Sequence, residues 1–273
     1  MKQAYCVFDI GGTNTRLAIS HDGRKIAKSL TAPTARNYSQ GMRVVAQLYQ
    51  KLNIHGQAKL VAGGVAGTFN KAKTKTLHCP QLPNWVGQPM KQDLTKIFHC
   101  PVTLENDVAF GGLGEAVAGA GRHSAIVGYF AVGTELGGSR IVDGQIDRVA
   151  FGFEPGMQYF IRDRHWQTLE EIIGGKGIKQ NYRMKPEDIS DQKIWRELRE
   201  YLLLGMRNAI ALWSPDIFVL GGSVMNKLWP LQVSTRLSRG LIWPTIKRGS
   251  LGDSATLIGA LVYLQNDAKT NRW

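Results

Sequence analysis

The sequence predicts an α/β protein of 273 residues, built as two modest domains or one large one. Short apolar runs rich in β-formers alternate with segments whose apolar residues recur at helical spacing. Three of these runs end in glycine turns, and the carboxyl ends of strands are where open α/β sheets bind ligands. The second half repeats the opening order of strand, glycine-threonine turn, strand and Asp-Gly turn, which indicates a duplicated fold.

The first glycine turn follows the apolar run Ala4–Phe8 and begins at Asp9. Gly11 and Gly12 let the backbone approach a bulky ligand and direct its N–H groups toward phosphate. Asp9, at the end of a buried strand, is placed to hold Mg²⁺ through water. The other polar side chains of the turn are donors for anionic oxygens: Thr13, Asn14 and Arg16. An ordinary hairpin turn explains the same pattern, and the spacing is neither a Walker loop nor G-x-G-x-x-G.

Composition restricts the classes of function. No apolar run approaches the ~18 residues of a membrane helix, and the N-terminus lacks the apolar core of a signal peptide. Cys6, Cys79 and Cys100 are too few for a disulfide framework, so we expect a cytoplasmic protein. The formal charge of +13 attracts polyanions. Since no basic tail or run of five like charges occurs, we expect a solvated basic surface and neither nucleic acid nor membrane as partner.

Helical spacing and breakers predict the main helices. Ser39 is expected to cap the first, and Ser214-Pro215 to end the longest. The predicted helices cover residues 41–52, 90–98, 108–118, 194–213 and a last one from Leu257. The predicted buried strands after the first hairpin include residues 60–65, 102–104, 124–132, 140–142 and 217–220. Leu82–Trp85 is predicted to be a non-helical turn.

Five motifs, in order and covering nearly the whole chain, resemble the ROK sugar kinases of the actin-like, Hsp70-like and sugar-kinase superfamily. The motifs are Asp9-x-Gly11-Gly12-Thr13, Leu82-Pro83-Asn84-Trp85, Glu105-Asn106-Asp107 with Gly114-Glu115, Gly133-Thr134-x-x-Gly137-Gly138, and Leu220-Gly221-Gly222. Each motif is short, and their joint order and spacing carry the resemblance.

The resemblance implies a two-domain α/β, actin-like ATPase (ribonuclease H-like) fold with a cleft between the domains. Residues 1–111 would carry the first phosphate turn, the sugar site and the catalytic aspartate, completed by the C-terminal helix. Residues 112–273 would carry the second phosphate turn and the adenosine site. ATP with Mg²⁺ would be held by the nucleotide-binding residues that the motifs imply: Asp9, Gly11, Gly12, Thr13, Asn14, Arg16, Gly133, Thr134, Gly137, Gly221 and Gly222.

The resemblance also implies that Asp107 is the general base that takes the proton from a sugar hydroxyl. Phosphoryl transfer needs positioning, charge neutralisation and one group to receive that proton, which a carboxylate supplies. From spacing alone, a cap on the following helix is the favoured role of Asn106-Asp107, and the rest of the motif set reverses that preference. The implied substrate-binding residues are Asn84, Asn106, Asp107, Glu154 and Glu170.

Three departures from the family pattern matter. Met157 stands where the family has a histidine that contacts sugar and helps bind zinc. No cysteine follows Cys100, so we predict no structural zinc, because thiolates are the expected ligands of such a site. Glu135 replaces a common glycine beside the second phosphate turn. Metal binding by the pairs His78-Cys79 and His99-Cys100 is the weaker alternative, since adjacent side chains point apart.

The favoured function is an ATP-dependent hexose kinase, glucokinase-like and acting on the 6-position. The alternatives are a polyphosphate-dependent glucokinase, a fructokinase, an N-acetylhexosamine kinase or a sugar-binding pseudokinase. A repressor is disfavoured, because only eight residues precede Asp9. Sugar and ATP are the expected partners, a homodimer is left open, and Trp85 is the best candidate for sugar stacking. Closure is expected about hinges near Gly111-Gly112 and again just before the last helix. Gly12 and Gly222 are expected where the backbone approaches phosphate closely or has positive φ.

Overall fold

A computed structural model describes residues 4–52 and 58–270, and the chain divides into two compact units. Unit 1 comprises Met1–Gly119, Arg148–Gly152 and Asp253–Trp273, and unit 2 comprises Ala120–Asp147 and Phe153–Gly252. The predicted boundary after residue 111 falls inside a helix of unit 1. No helix in the described residues is long and apolar enough to cross a membrane.

The strands and helices are numbered in chain order. The strands are β1 Ala4–Ile10, β2 Asn14–Ser20, β3 Lys28–Pro33, β4 Ala58–Val65, β5 Thr68–Phe69, β6 Thr76–His78, β7 Val102–Asn106, β8 Ile126–Val132, β9 Leu136–Val142, β10 Gln145–Ile146, β11 Tyr159–Arg162, β12 His165–Thr168, β13 Ile217–Gly221 and β14 Thr245–Arg248. The helices are α1 Tyr38–Leu52, α2 Met90–Phe98, α3 Asp107–Val117, α4 Leu169–Ile173, α5 Gly175–Tyr182, α6 Gln192–Trp213, α7 Met225–Leu228, α8 Thr235–Ser238 and α9 Ala255–Thr270.

The main sheet of unit 1 has the strand order β3-β2-β1-β4-β7. β1, β2 and β3 pair antiparallel, whereas β4 and β7 run parallel to β1. Helices α1 and α2 cover one face of this sheet, where Phe8 of β1 stacks on Phe98 of α2 with 5.8 Å between ring centroids. Helices α3 and α9 contact each other, and α9 also contacts β1 and β4.

The main sheet of unit 2 repeats this plan, with the order β10-β9-β8-β13-β14. β8 pairs antiparallel with β9 and parallel with β13, as β1 pairs with β2 and β4 in unit 1. Its core lies between the sheet and α6, where Phe130, Trp213 and Phe218 form a cluster of rings. The duplicated order predicted from the two strand–turn–strand segments is therefore present.

Two glycines let α3 and α9 approach at backbone distance. A Cβ atom at Gly259 would collide with the carbonyl of Phe110, and one at Gly114 would collide with the carbonyl of Ala255. Larger residues at either position would force the helices apart. Gly259 thus packs closely against a helix of the same unit.

Three local predictions are wrong. Asn37, instead of Ser39, caps α1, because its Oδ1 accepts a hydrogen bond of 3.1 Å from the amide of Gln40. Pro83–Trp85 forms a turn of 3₁₀ helix where no helix was predicted. Gly111-Gly112 lies buried within α3, so it is no hinge. The chain passes between the units after Gly119, Asp147, Gly152 and Gly252, and the last of these crossings lies just before α9.

Candidate active site

The first glycine turn joins β1 to β2 by a tight antiparallel pairing. Asp9 faces Arg16 across the two strands, and the amide of Gly11 donates to the carbonyl of Asn14 at 3.0 Å. Neither Gly11 nor Gly12 has positive φ, so the expectation of a left-handed backbone at Gly12 is wrong. A Cβ atom at Gly12 would instead collide with the side chain of Gln81.

Asp9 is a buried carboxylate with one strong cationic neighbour. The guanidinium of Arg16 lies 3.2 Å from Oδ2 of Asp9, and its other terminal nitrogen lies 2.9 Å from Oδ2 of Asp253. Burial raises the pKa of Asp9 from 3.8 to about 6, although Arg16 opposes that shift. Arg16 therefore holds together a carboxylate of the turn and one at the start of α9.

The register of the parallel strands brings Asp107 to the same sheet edge as this turn. Ile10, Val65 and Asn106 lie in one row across β1, β4 and β7. Gly11 and Asp107 each follow that row, two strands apart, which places them about 10 Å from each other. The first glycine turn and the predicted base are thus neighbours within unit 1.

Asp107 begins α3, and the local structure holds its backbone in place. Its own Oδ1 accepts a hydrogen bond of 2.9 Å from the amide of Val108, and Thr256 of α9 donates to its carbonyl at 3.2 Å. A Cβ atom at Gly64 would meet the Cα of Asp107 at 2.9 Å, so only glycine gives the start of α3 its room beside β4.

Asn106 is the N-cap of α3. Its Oδ1 accepts from the amide of Ala109 at 3.0 Å, and its Nδ2 donates to the carbonyl of Gly67 at 3.1 Å. Asn106 therefore caps α3, as the alternative from spacing predicted. The cap fixes the direction in which the chain leaves β7 at Asp107.

Trp85 does not have the role expected of it. Its side chain is 1% exposed, and its Nε1 donates to the carbonyl of Ala35 at 3.1 Å. The ring meets Tyr38 edge-on inside the core of unit 1, so Trp85 is not available to stack on a sugar. Asn84, the preceding residue, is exposed.

The second glycine turn, Gly133–Glu135, rests on the start of α5 in unit 2. The amide of Gly175 donates to the carbonyl of Gly133 at 2.8 Å, and the amide of Lys176 donates to Thr134 at 2.9 Å. A Cβ atom at Gly133 would meet nothing within 4 Å. Packing within the protein therefore does not require glycine at this position. Gly137 lies just beyond, in β9.

The third glycine turn lies beside the second. Gly221 ends β13 and faces Ala131 of β8, one residue before Val132. Gly222 has a φ of +94°, and a Cβ atom there would collide with the backbone of Val132. The amide of Val224 donates to the carbonyl of Val132 at 3.0 Å. The positive φ expected at Gly222 is present.

Glu154 and Glu170, both predicted to bind sugar, lie in one group of carboxylates with Glu135. The Oε2 of Glu170 accepts from the amide of Leu136 at 3.0 Å. Burial raises the pKa of Glu170, the amide of Leu136 opposes that shift, and the charges of Glu135 and Glu154 raise it further. Met157, in the place of the family histidine, is 46% exposed.

A short hairpin, β11–β12, stands where the family motif would place cysteines. Its two-residue turn, Asp163-Arg164, has both φ values positive. Arg162 of the hairpin donates to Glu197 at 2.7 Å and to the hydroxyl of Tyr182 at 2.6 Å. Side-chain contacts therefore hold this hairpin onto unit 2.

Metal ligands are sparse among the residues described. Residues 4–52 and 58–270 contain no group of three His, Cys, Asp or Glu side chains suited to hold a metal ion. In the His78-Cys79 pair the histidine is exposed and the cysteine buried. Mg²⁺ bound to nucleotide needs only one or two carboxylates besides phosphate, so Asp9 suits it through the oxygen that Arg16 does not contact.

Sequence reasoning missed several residues of these sites. Asp253 and Gln81 gave no signal, because nothing in a sequence connects either residue with the first turn. Lys176 had one: it lies in Gly174-Gly175-Lys176-Gly177, a glycine-rich start of a helix with a cation. Glu105 belongs to a motif named above, but no role was predicted for it; it is 8% exposed and paired with Lys73 of the loop between β5 and β6.

Two α/β units with the same sheet order, each with a glycine turn between its central antiparallel strands, define a protein of the actin-like ATPase fold. The fold matches that of a ROK hexokinase from Thermus thermophilus with a TM-score of 0.81, at 21% identity over 97% of this chain and 100% of that one. It also matches a ROK family glucokinase from Streptomyces griseus, solved with glucose and AMPPNP, with a TM-score of 0.77 at 20% identity, covering 94% and 98% of the two chains.

The chain belongs to the ROK family, whose model matches residues 5–267. Among characterised relatives, the N-acetyl-D-glucosamine kinase of Escherichia coli O139:H28 is 26% identical over 300 aligned positions, which cover 94% of this chain and 97% of that protein. The predicted family and fold class are confirmed.

Proposed function

We propose that this protein is a sugar kinase that transfers the γ-phosphate of ATP to a hydroxyl of a hexose. The observation that carries the proposal is the common edge of the unit 1 sheet, where Asp107 begins α3 about 10 Å from the first glycine turn. That spacing suits a general base and a phosphate-binding loop acting on one bound acceptor and donor.

In the proposed reaction Asp107 accepts the proton of the sugar hydroxyl while the hydroxyl oxygen bonds to the γ-phosphorus. The bond from that phosphorus to the oxygen bridging to the β-phosphate breaks, and ADP leaves. The hydrogen bond from Val108 to Oδ1 of Asp107 orients the carboxylate. Bound Mg²⁺ would neutralise phosphate charge, with Asp9 as its carboxylate.

The phosphates of ATP are proposed to lie against the three glycine turns, with Thr13, Asn14, Arg16 and Thr134 as donors. Gly133 supports phosphate binding by the second turn, because a Cβ atom at this position would point into open space where a ligand could lie. A ligand that approaches the backbone at that point explains the residue.

Glu154 and Glu170 are proposed to bind sugar hydroxyls, together with Asn84 and Asn106. Glucose phosphorylated at its 6-position is the favoured acceptor. N-acetylglucosamine is the second candidate, because the relative from Escherichia coli acts on that sugar and aligns over 94% of this chain. Met157 removes the family histidine from this region, so acceptor choice is expected to differ from that of relatives that keep it.

The decisive experiment is a turnover assay with Mg²⁺, a panel of sugars, and ATP or inorganic polyphosphate as donor. The panel contains glucose, fructose, mannose, N-acetylglucosamine and N-acetylmannosamine. Turnover of one sugar with ATP supports the proposal. Turnover with polyphosphate but not with ATP would make polyphosphate the phosphoryl donor in place of ATP. Sugar binding without turnover from either donor identifies a pseudokinase.

Asp107→Asn should lower kcat by about 10²–10⁴-fold, because the amide keeps the shape but cannot accept a proton. Sugar affinity should remain near that of the parent. The matched control is Asp143→Asn, a carboxamide exchange in the β9–β10 turn of unit 2. A near-parental kcat in Asp107→Asn would remove Asp107 from the role of base.

A further inference from the structure

A groove in unit 1 lies between the start of α2 and the loop before β6. Its volume is about 600 Å³, within the range of small-ligand sites. The amide of Lys91 donates to the carbonyl of Thr74 at 3.1 Å and so joins the two walls. Gly87 and Pro89 line part of it, and much of its surface is apolar. The polar side chains that line it are those of Thr74, Lys75, Lys91, Gln92, Thr95 and Lys96. We call this feature the lysine groove.

Cationic charge dominates the lysine groove. Three of its lining residues are lysines, and the nearby carboxylate of Asp93 already accepts from Tyr38 at 2.9 Å and from Lys96 at 3.3 Å. The Lys96–Asp93 pair is largely exposed, and such pairs contribute little. Two cationic charges therefore exceed the local anionic charge.

This arrangement works against the stability of the fold. Lys91 lies in the first turn of α2, where the helix dipole disfavours a cation, and Asp93 at the end of that turn offsets only part of this cost. The N-cap Pro89 makes no side-chain hydrogen bond to the helix. Lys75, Lys91 and Lys96 also repel one another. An anion in the groove would turn both unfavourable terms into favourable ones.

The available donors narrow the class of anion. The hydroxyl of Thr95 already donates to the carbonyl of Lys91, and that of Thr74 is engaged with Asn70. Recognition is left to the three ammonium groups and the amide of Gln92. Ammonium groups bind phosphate as point charges without fixed geometry, which suits several phosphate oxygens spread along a groove.

We propose that the lysine groove is a second anion site, which binds a ligand carrying phosphate groups separately from the glycine turns. None of its residues belongs to the proposed kinase machinery, so the proposal goes beyond that function. Condensed inorganic phosphate and phosphorylated sugar share the required chemistry. The number of ammonium groups favours the ligand with more phosphate charge.

The test is calorimetric titration of the full chain, without Mg²⁺, with tripolyphosphate, glucose 6-phosphate and sulfate in turn. The triple variant Lys75→Gln/Lys91→Gln/Lys96→Gln should bind tripolyphosphate about tenfold or more weakly than the parent. The matched control, Lys25→Gln/Lys179→Gln/Lys193→Gln, removes the same charge from exposed positions elsewhere and should bind as the parent does. Binding at the glycine turns would persist in both.

A selective loss for tripolyphosphate alone assigns condensed phosphate, and a selective loss that includes glucose 6-phosphate assigns a phosphorylated sugar. Equal affinity in the triple variant and the parent overturns the proposal, as does an equal loss in the control or for sulfate. Melting temperatures accompany each titration. If the triple variant is unfolded, Lys91→Gln alone serves, because removing a cation from the first turn of a helix does not destabilise it.

Discussion

At the scale of single residues, Asp9 combines two opposing environments. Burial favours its neutral form, and Arg16 favours its charged form, with burial the stronger. A carboxyl whose pKa is raised on folding binds protons more tightly in the folded state. Its contribution to stability is therefore present below pH 4 and is lost as the pH rises to about 6. The rise from 3.8 to about 6 corresponds to at most about 3 kcal/mol.

Asp9→Asn should therefore raise the melting temperature above pH 6 and leave it nearly unchanged below pH 4, because the amide never has to ionise. Phosphoryl transfer should fall in the same variant, since Mg²⁺ would lose its proposed carboxylate. Thermal unfolding at several pH values, beside a turnover assay, separates the two effects.

Asp22→Asn is the control of opposite sign. Asp22 is exposed, and hydrogen bonds from the amides of Lys25 and Arg24 lower its pKa to about 2. Its removal should lower the melting temperature at pH 7 and spare catalysis. If Asp9→Asn had the same dependence of melting temperature on pH as the parent, ionisation of Asp9 would not destabilise the fold as proposed.

At the scale of turns, the glycines separate into two physical classes. Gly11 and Gly133 have ordinary φ values and room for a Cβ atom, whereas Gly222 has neither. Gly11→Ala and Gly133→Ala should thus unfold like the parent but raise the KM for ATP about tenfold or more, since a methyl group would displace bound phosphate. Kinetics at saturating sugar, with melting curves, test this.

Gly222→Ala should cost about 1–3 kcal/mol of stability, because alanine resists a φ of +94°. Gly144→Ala, in the β9–β10 turn with a φ of +69°, should lower stability but leave the KM for ATP unchanged in the folded protein. Parental KM values in all variants would contradict the assignment of the turns to nucleotide.

Periodic signals explain what the sequence could predict. α2 begins at Met90 and ends at Phe98 as predicted, because its apolar spacing and the following Pro101 mark both ends. The cap at Asn37 was missed, because several good caps occur close together and local backbone geometry selects one. Trp85 was misjudged, because a short motif does not reveal whether a ring lies in the core.

Contacts between distant residues carried no such signal. Arg16 meets Asp253 across 237 positions, and Lys73 meets Glu105 across 32. Such pairs follow from sheet register and from the return of α9 to unit 1, which the residues themselves do not encode locally. The aspartate and arginine of the turn were therefore predictable, and the contact of Arg16 with Asp253 was not.

At the scale of the whole molecule, the absence of a zinc motif requires another source of order around β11–β12. Arg162 is 8% exposed and joins Glu197 to Tyr182, with its guanidinium 5.3 Å from the Tyr182 ring centroid. These contacts hold the hairpin against α5 and α6. The hairpin is thus expected to be stable in metal-free protein.

The purified protein should contain less than stoichiometric zinc, and chelators should leave its melting temperature unchanged. Arg162→Ala should lower stability by about 1–3 kcal/mol, while Arg196→Ala, an exposed position on α6, should cost little. Metal analysis and thermal unfolding measure both. About one zinc per chain, with a chelator-sensitive melting temperature, would reverse the assignment.

The glycine contact of α3 with α9 has a consequence for synthesis of the chain. α9 follows all of unit 2 in the sequence, so a ribosome makes residues 120–252 before the helix that covers α3. Unit 2 has all of its own strands by then, whereas the nascent unit 1 still exposes the face of α3 around Gly114. In the cell, unit 2 is therefore expected to finish folding before unit 1, although synthesis of unit 1 begins first.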